Sequence, residues 1–334
     1  MRRVIVFLIG ILLLFSFGCT APTSQAPIAE HLLRFSVNTD QDSPSGIAAK
    51  TFADMVCERS EGRIVLVPYF DGTLGDEKSV MEQLAFGGID LGFIGLQQLS
   101  EEYEEMQIFR LPYLFSDRDA FFSTLEVGIC DGFYAQLQAD SLHAITWFDQ
   151  GALSFCSSKW ELTSPDSFLM QTAAVTNGAI ACDTVTAFGA EALLINRASI
   201  SAAYDAHLVS ISEVSLLDYL KSSIYLCAPN LLLDEHIYTP ALLMMGQPAM
   251  ARLSESDVAL IRECAVEAAT IGRQLQQEME QSALDSLVEK GAYVSLPSEQ
   301  LLSAFRTETL CVYARYTPAY RSLYDRIVAF QSGN

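Results

Sequence analysis

The sequence predicts an α/β protein built as two α/β lobes with a hinge and a long bracing helix. Three observations predict it. Strand and helix patterns alternate through the first 150 residues, a second and shorter set of the same kind follows, and one helical run continues unbroken from Ser254 to about Lys290. The chain has 334 residues, half of them apolar. That is more than one compact core usually holds, so two lobes are expected.

The first lobe is read over residues 31–150. Leu32–Asn38 reads as a strand and Ser45–Arg59 as a helix, with Ile47, Ala48, Phe52, Met55 and Val56 on one stripe. Ile64–Phe70 is a strand in which Pro68 signals an edge or a bulge. A helix follows over Asp76–Phe86, a buried strand over Ile89–Leu96, and a short acidic helix carrying Glu101, Glu102, Glu104 and Glu105. Asp119–Ala139 reads as one helix and Leu142–Phe148 as a strand, giving a mostly parallel sheet.

The second lobe is read over residues 151–235, from segments at Ala152–Ser157, Gln171–Val175, Thr184–Leu194, Ile200–His207, Leu208–Ile211, Glu213–Lys221 and Ile224–Cys227. Glu235–Gly246 is extended and returns to the first lobe, which is expected to include residues 236–252 and the closing helices of Ser298–Phe330. Ser254, with Asp257 three residues on, opens the long helix over residues 254–290. Some 36 residues at ~1.5 Å each make about 54 Å, enough to brace both lobes.

Residues 1–18 read as a targeting segment. Arg2 and Arg3 precede the apolar run Val4–Phe17, which is too short to span a bilayer comfortably. Gly18-Cys19 suggests a bacterial lipoprotein signal with Cys19 acylated, although Ser16 stands where such sites usually carry leucine. An ordinary secretory signal is the alternative. Residues 19–30 then form a polar tether. Without the signal, 18 basic and 41 acidic side chains remain, a net charge of −23. Such a chain repels phosphate backbones, which argues against nucleic-acid binding.

Seven further cysteines (Cys57, Cys130, Cys156, Cys182, Cys227, Cys264 and Cys311) show no C-x-x-C spacing, and most lie in apolar patterns. A Cys156–Cys182 bridge is one possible pairing. The histidines, His31, His143, His207 and His236, are too scattered for a metal site. There is no G-x-S-x-G, P-loop or G-x-G-x-x-G motif, and the acidic helix is a solvated face. The sequence therefore points to no enzyme, no cofactor and no metal.

The run Leu74–Phe115 combines Leu74-Gly75-Asp76-Glu77 before a helix, Gly88-Ile89-Asp90 before a strand, and Leu111-Pro112-Tyr113-Leu114-Phe115 after the acidic helix. In this order it resembles the substrate-binding proteins of TRAP transporters, whose fold is periplasmic-binding-protein-like. The resemblance extends along nearly the whole mature chain. Gly62-Arg63-Ile64, the turn Ser164-Pro165-Asp166, Glu213, His236 and the long helix from Ser254 all contribute. It implies a periplasmic protein that binds a small molecule between its lobes and passes it to a TRAP membrane permease.

In that family a second-lobe strand arginine grips the substrate carboxylate in two-pronged fashion. Here Ala174 takes that position, and Leu153 takes that of a second arginine after the hinge. Val214 stands where an asparagine usually follows the glutamate, and Gly95 and Leu96 stand at a strand end that is often polar. Three readings stay open. The cleft is rebuilt for an apolar or non-carboxylate ligand, bounded by Leu153, Ala174, Val214, Gly95, Leu96, Tyr69 and Trp147, with Asn177 kept as a polar group. Or another basic residue, Arg197 or Lys159, takes the arginine's role. Or the chain has lost transport and docks a periplasmic partner, which an exposed apolar patch outside the cleft would mark. Met244 and Met245 are further candidates for apolar lining, with core strand the alternative. Loss of the arginines together with a lipoprotein signal also resembles the subgroup accompanied by a periplasmic TPR-repeat lipoprotein.

Overall fold

A computed structural model describes residues 29–176 and 178–333. The signal segment, Cys19, most of the tether and Asn177 lie outside the described residues. The first lobe opens with β1 (His31–Ser36), α1 (Pro44–Arg59), β2 (Ile64–Tyr69), α2 (Glu77–Phe86), β3 (Leu91–Gly95) and α3 (Leu96–Glu102). The starts of α1 and α2 have a local cause. Ser43 caps α1 by accepting from the Gly46 N–H, and Asp76 caps α2 by accepting from the Ser79 N–H. Pro68 is tolerated because β2 is the edge of its sheet.

The helix expected over Asp119–Ala139 is two, α4 (Arg118–Glu126) and α5 (Asp131–Ala139). Gly128, at φ +74°, sits in the break between them, in a conformation that glycine adopts readily. Strand β4 (Leu142–Phe148) then leads to the hinge.

The second lobe contains β5 (Ala152–Ser157), β6 (Thr172–Val175), α6 (Gly178–Ala187), β7 (Glu191–Leu194), α7 (Ile200–Asp205), β8 (Ile211–Ser215), α8 (Leu216–Lys221) and β9 (Asn230–Tyr238). Ile224–Leu226 is a single 3₁₀ turn that precedes β9. The chain then returns as β10 (Ala241–Gly246), followed by α9 (Gln247–Met250), α10 (Glu255–Glu289), β11 (Tyr293–Ser295), α11 (Glu299–Glu308), α12 (Leu310–Tyr316) and α13 (Arg321–Gln331).

The first sheet has the order β2-β1-β3-β10-β4 and the second β11-β9-β5-β8-β6-β7. The first is mixed rather than mostly parallel: β1 runs parallel to β2 and β3, while β10 is antiparallel to both of its neighbours. Alternation along β10 divides its side chains between two cores. Leu242 and Met244 pack beside Phe121 and Leu125, and Leu243 and Met245 beside Phe35, Phe93 and Phe148. Both methionines are therefore core residues. Of the closing helices, α11 joins the second lobe instead, because Phe305 packs between Phe168 and Phe188.

Helix α10 is 35 residues long and is capped by Ser254 as its sequence predicts. It packs on α1 and β4 of the first lobe and on α8 and β11 of the second. Its approach to α1 needs Gly272, where a Cβ would lie 2.9 Å from the Ala48 Cβ. The seven cysteines among the described residues are free thiols, Cys156 and Cys182 included.

Candidate ligand-binding cleft

Two strand-to-strand crossings join the lobes, Asp149–Gly151 between β4 and β5 and Thr239–Pro240 between β9 and β10. They are tied together: the Thr239 N–H donates to the Gly151 carbonyl at 2.9 Å, and the Thr239 hydroxyl to the same oxygen at 3.0 Å. Gly151 has φ +91°, and a Cβ there would lie 2.9 Å from the Gln276 Nε2 of α10. A side chain at this point of the hinge would be both strained and crowded.

In front of the hinge lie two cavities of about 740 and 290 Å³ that share Asn38, Thr39, Gln150, Arg197 and Thr239. The larger is bounded by the Asn38–Ser45 segment of the first lobe, by Ser215–Lys221 of the second, and by Gln276, Met279 and Ala283 of α10. The smaller reaches inward to Glu77, Gly95, Leu96, Arg110 and Pro240. Together they occupy the place between lobes where small-molecule sites are commonly built.

The inner wall is a hydrogen-bonded relay. The Glu77 carboxylate accepts from the Asn38 amide and, at 3.1 Å, from the Gly95 N–H. Asn38 in turn accepts from the Gln150 amide at 3.0 Å. Burial pushes the Glu77 carboxyl above the usual range, while these two hydrogen bonds act against the rise. Gly95 leaves room for this carboxylate, since a Cβ there would lie 3.3 Å from it. Arg110 also reaches this cavity and donates to the Ser100 hydroxyl at 2.8 Å. Burial lowers its guanidinium to about 10 against the opposing effect of Glu213 and Glu101.

Arg197 stands on the second-lobe wall. Asn196 shapes its backbone by accepting from the Ala198 N–H at 3.0 Å. Its Nη1 donates to Asp218 Oδ2 at 2.6 Å, and Ser215 donates to the same oxygen at 2.7 Å. The Arg197 side chain remains 57% exposed. Further out, Lys221 of α8 meets Asp40 of the first lobe at 2.5 Å, a pair that spans the cleft mouth. The Lys221 ammonium holds the Asp40 carboxyl below its usual range.

Of the positions expected at the cleft, Gly95 and Leu96 line it. Ala174 is fully buried and packs with Ile200, Tyr204 and Val214 in the second-lobe core. Val214 and Leu153 are also buried, and neither is on a wall of the two cavities. Trp147 packs in the first-lobe core and donates its indole N–H to Tyr134 at 2.8 Å. Tyr69 is exposed at the end of β2, outside both cavities. Lys159 points elsewhere, donating to Gln171 and lying over the Trp160 ring. Of these two basic candidates, Arg197 is the one that faces the cleft. Sequence reading passed over Asn38, Glu77 and Gln150 as binding candidates because they converge only when the hinge is folded.

The sequence model of the bacterial extracellular solute-binding proteins, family 7, matches residues 35–318. The chain belongs to that family. Among its relatives, a solute-binding protein of Chromohalobacter salexigens is 24% identical over 86% of this chain and 85% of its own. The 2,3-diketo-L-gulonate-binding periplasmic protein of Escherichia coli is 24% identical over 82% and 84%. The fold matches a TRAP periplasmic solute-binding protein of C. salexigens with bound D-glucuronate, at a TM-score of 0.82 and 23% identity over 90% of this chain and all of that one. It also matches one of Sulfurospirillum deleyianum with bound succinate, at 0.79 and 18% identity over 90% and 99%. This chain is thus an extracellular solute-binding protein of family 7, with the two-lobed α/β fold of those structures.

Proposed function

We propose that the protein captures a polar organic acid in the periplasm, closes its two lobes over it, and delivers it to a TRAP membrane permease. Arg197 meets the ligand carboxylate in this reading. The observation that carries it is the position of Arg197 in both cavities, with one guanidinium N–H given to Asp218 and the others left for a planar anion. The C. salexigens structure holds D-glucuronate and the E. coli relative binds 2,3-diketo-L-gulonate, and both are acids of this chemical class.

This reading replaces the apolar ligand expected from Leu153 and Ala174. The cleft wall is rich in charged and amide groups, and an apolar ligand would strip water from them without offering hydrogen bonds in return. With Arg197 supplying a cation, the missing strand arginines no longer call for a TPR-repeat lipoprotein partner. Acylation of Cys19, outside the described residues, would hold the protein at the membrane and is a separate part of the proposal. Metabolic labelling with a lipid precursor, comparing wild type with Cys19→Ala, tests it.

Isothermal titration with D-glucuronate tests the binding reading. Arg197→Leu should weaken affinity roughly tenfold to hundredfold, the cost of a charge-assisted hydrogen-bond pair, with Arg197→Lys recovering part of it. Unchanged affinity in the leucine variant would sink the assignment. Mass spectrometry of organic extracts from purified protein gives an independent check: an apolar compound recovered in place of an acid would restore the apolar reading.

The Asp40–Lys221 pair should favour the closed arrangement only slightly, since ion pairs open to solvent are weakened by hydration and screening. Lys221→Met is expected to weaken ligand binding by a factor of about two to five. The difference from wild type should shrink at high salt. A variant that bound as tightly as wild type at low salt would show that the pair does not help closure.

A further inference from the structure

We propose that Glu77 makes this cleft a charge filter, which admits monocarboxylates bearing hydroxyl or amine donors and rejects dicarboxylates. The inference rests on Arg197 as the carboxylate anchor. Arg197 and Glu77 both line the smaller cavity, so a ligand held by the first lies in the space faced by the second. Glu77 cannot easily turn away, because Asn38 and the Gly95 N–H hold one carboxylate oxygen each, and Gln150 holds Asn38. These partners are neutral donors that orient the carboxylate without cancelling its charge. Arg110, on the same cavity, donates to Ser100 and is under the influence of Glu213 and Glu101.

Each Glu77 oxygen accepts one hydrogen bond from the protein and keeps lone-pair capacity for another. A ligand hydroxyl or ammonium satisfies that capacity. A second ligand carboxylate offers no donor and brings like charge into a partly desolvated space, so rejection comes from repulsion as well as from a missing hydrogen bond.

The test compares acids that differ only at the far end. Galactonate, gluconate and mannonate are titrated into the mature protein beside galactarate, glucarate and mannarate, in which the terminal hydroxymethyl is a carboxylate. The best-bound monocarboxylate should exceed its paired dicarboxylate by about a hundredfold in affinity, and Glu77→Gln should cut that ratio at least tenfold. Equal or tighter binding of the dicarboxylate to wild type overturns the filter while leaving Arg197 as anchor. Binding of none of the six acids overturns the filter, and failure to bind D-glucuronate as well overturns the organic-acid reading. The wild-type comparison decides the matter even if the glutamine variant fails to fold.

Discussion

Replacing Arg118 by methionine should lower the unfolding free energy by about 3–5 kcal/mol and the melting temperature by roughly 10 °C. Arg118, on α4, is nearly buried and faces three carboxylates from distant parts of the chain. Its Nη2 lies 2.7 Å from Glu280 of α10 and 3.9 Å from Glu235 of β9, and its Nη1 lies 3.1 Å from Asp149 at the hinge. The contact to Asp149 is electrostatic and lacks hydrogen-bond geometry. Asp149 also accepts from the Gly151 N–H at 2.8 Å, so the cluster fixes the start of the crossing into the second lobe.

Without the guanidinium, three carboxylates face one another in a poorly hydrated space. Burial already raises the carboxyls of Asp149 and Glu235, with Arg118 acting against the rise. The cost of the variant should therefore be larger at pH 8 than at pH 5, where these groups can take up protons. Adding Asp149→Asn and Glu280→Gln should recover much of the loss. Urea denaturation at the two pH values measures both effects. A loss under about 1 kcal/mol would show that the cluster is hydrated and weak.

The second large effect concerns His236. Its ring is fully buried, with Nδ1 3.1 Å from Asp234 and Nε2 3.3 Å from Glu213, and it stacks on Phe155 at 4.0 Å. Tyr113 donates to Asp234 at 2.7 Å. Burial alone would lower the imidazolium pKa, but the two carboxylates outweigh it and raise it from 6.5 to about 9. A group whose folded pKa is raised stabilises most below its unfolded pKa and loses that contribution as pH climbs to the folded one. Stability should therefore decline between about pH 6.5 and 9, by an amount on the order of 3 kcal/mol. His236→Gln should abolish most of this slope and cost about 3–5 kcal/mol at pH 6, where it leaves two buried carboxylates without a cation. The buried thiols of Cys130 and Cys156 add a decline of their own only above about pH 9. Denaturation series kept below that limit isolate the histidine, and a flat wild-type profile would show that it is neutral in the fold.

Much of the first lobe was legible because its signals are local. Asp76 before α2, Pro68 on an edge strand and Ser254 before α10 each act within one turn or one strand. The errors came where distant segments decide. The Asn230–Tyr238 strand exists because β5 and β11 flank it, whereas the preceding apolar residues Ile224–Leu226 turn under α8. At the cleft, resemblance places Ala174 on a strand but says nothing of whether the side chain reaches solvent. Arg197 appeared among the alternatives without a reason to prefer it, since its place opposite Glu77 depends on the hinge. Arg118, Asp149, Glu235 and Glu280 are spread over more than 160 positions and had no signal in the sequence.

The position of β10 bears on how the chain matures. This strand separates β3 from β4 in the first sheet, yet it is made only after the entire second lobe. Until residue 246 has been synthesised, β3 and β4 have exposed edges where β10 will sit, which is a template for wrong pairing. Premature termination anywhere between residues 152 and 240 should thus yield an aggregation-prone fragment rather than a folded half. The second lobe must find its own core quickly, because the first lobe cannot close its sheet without it.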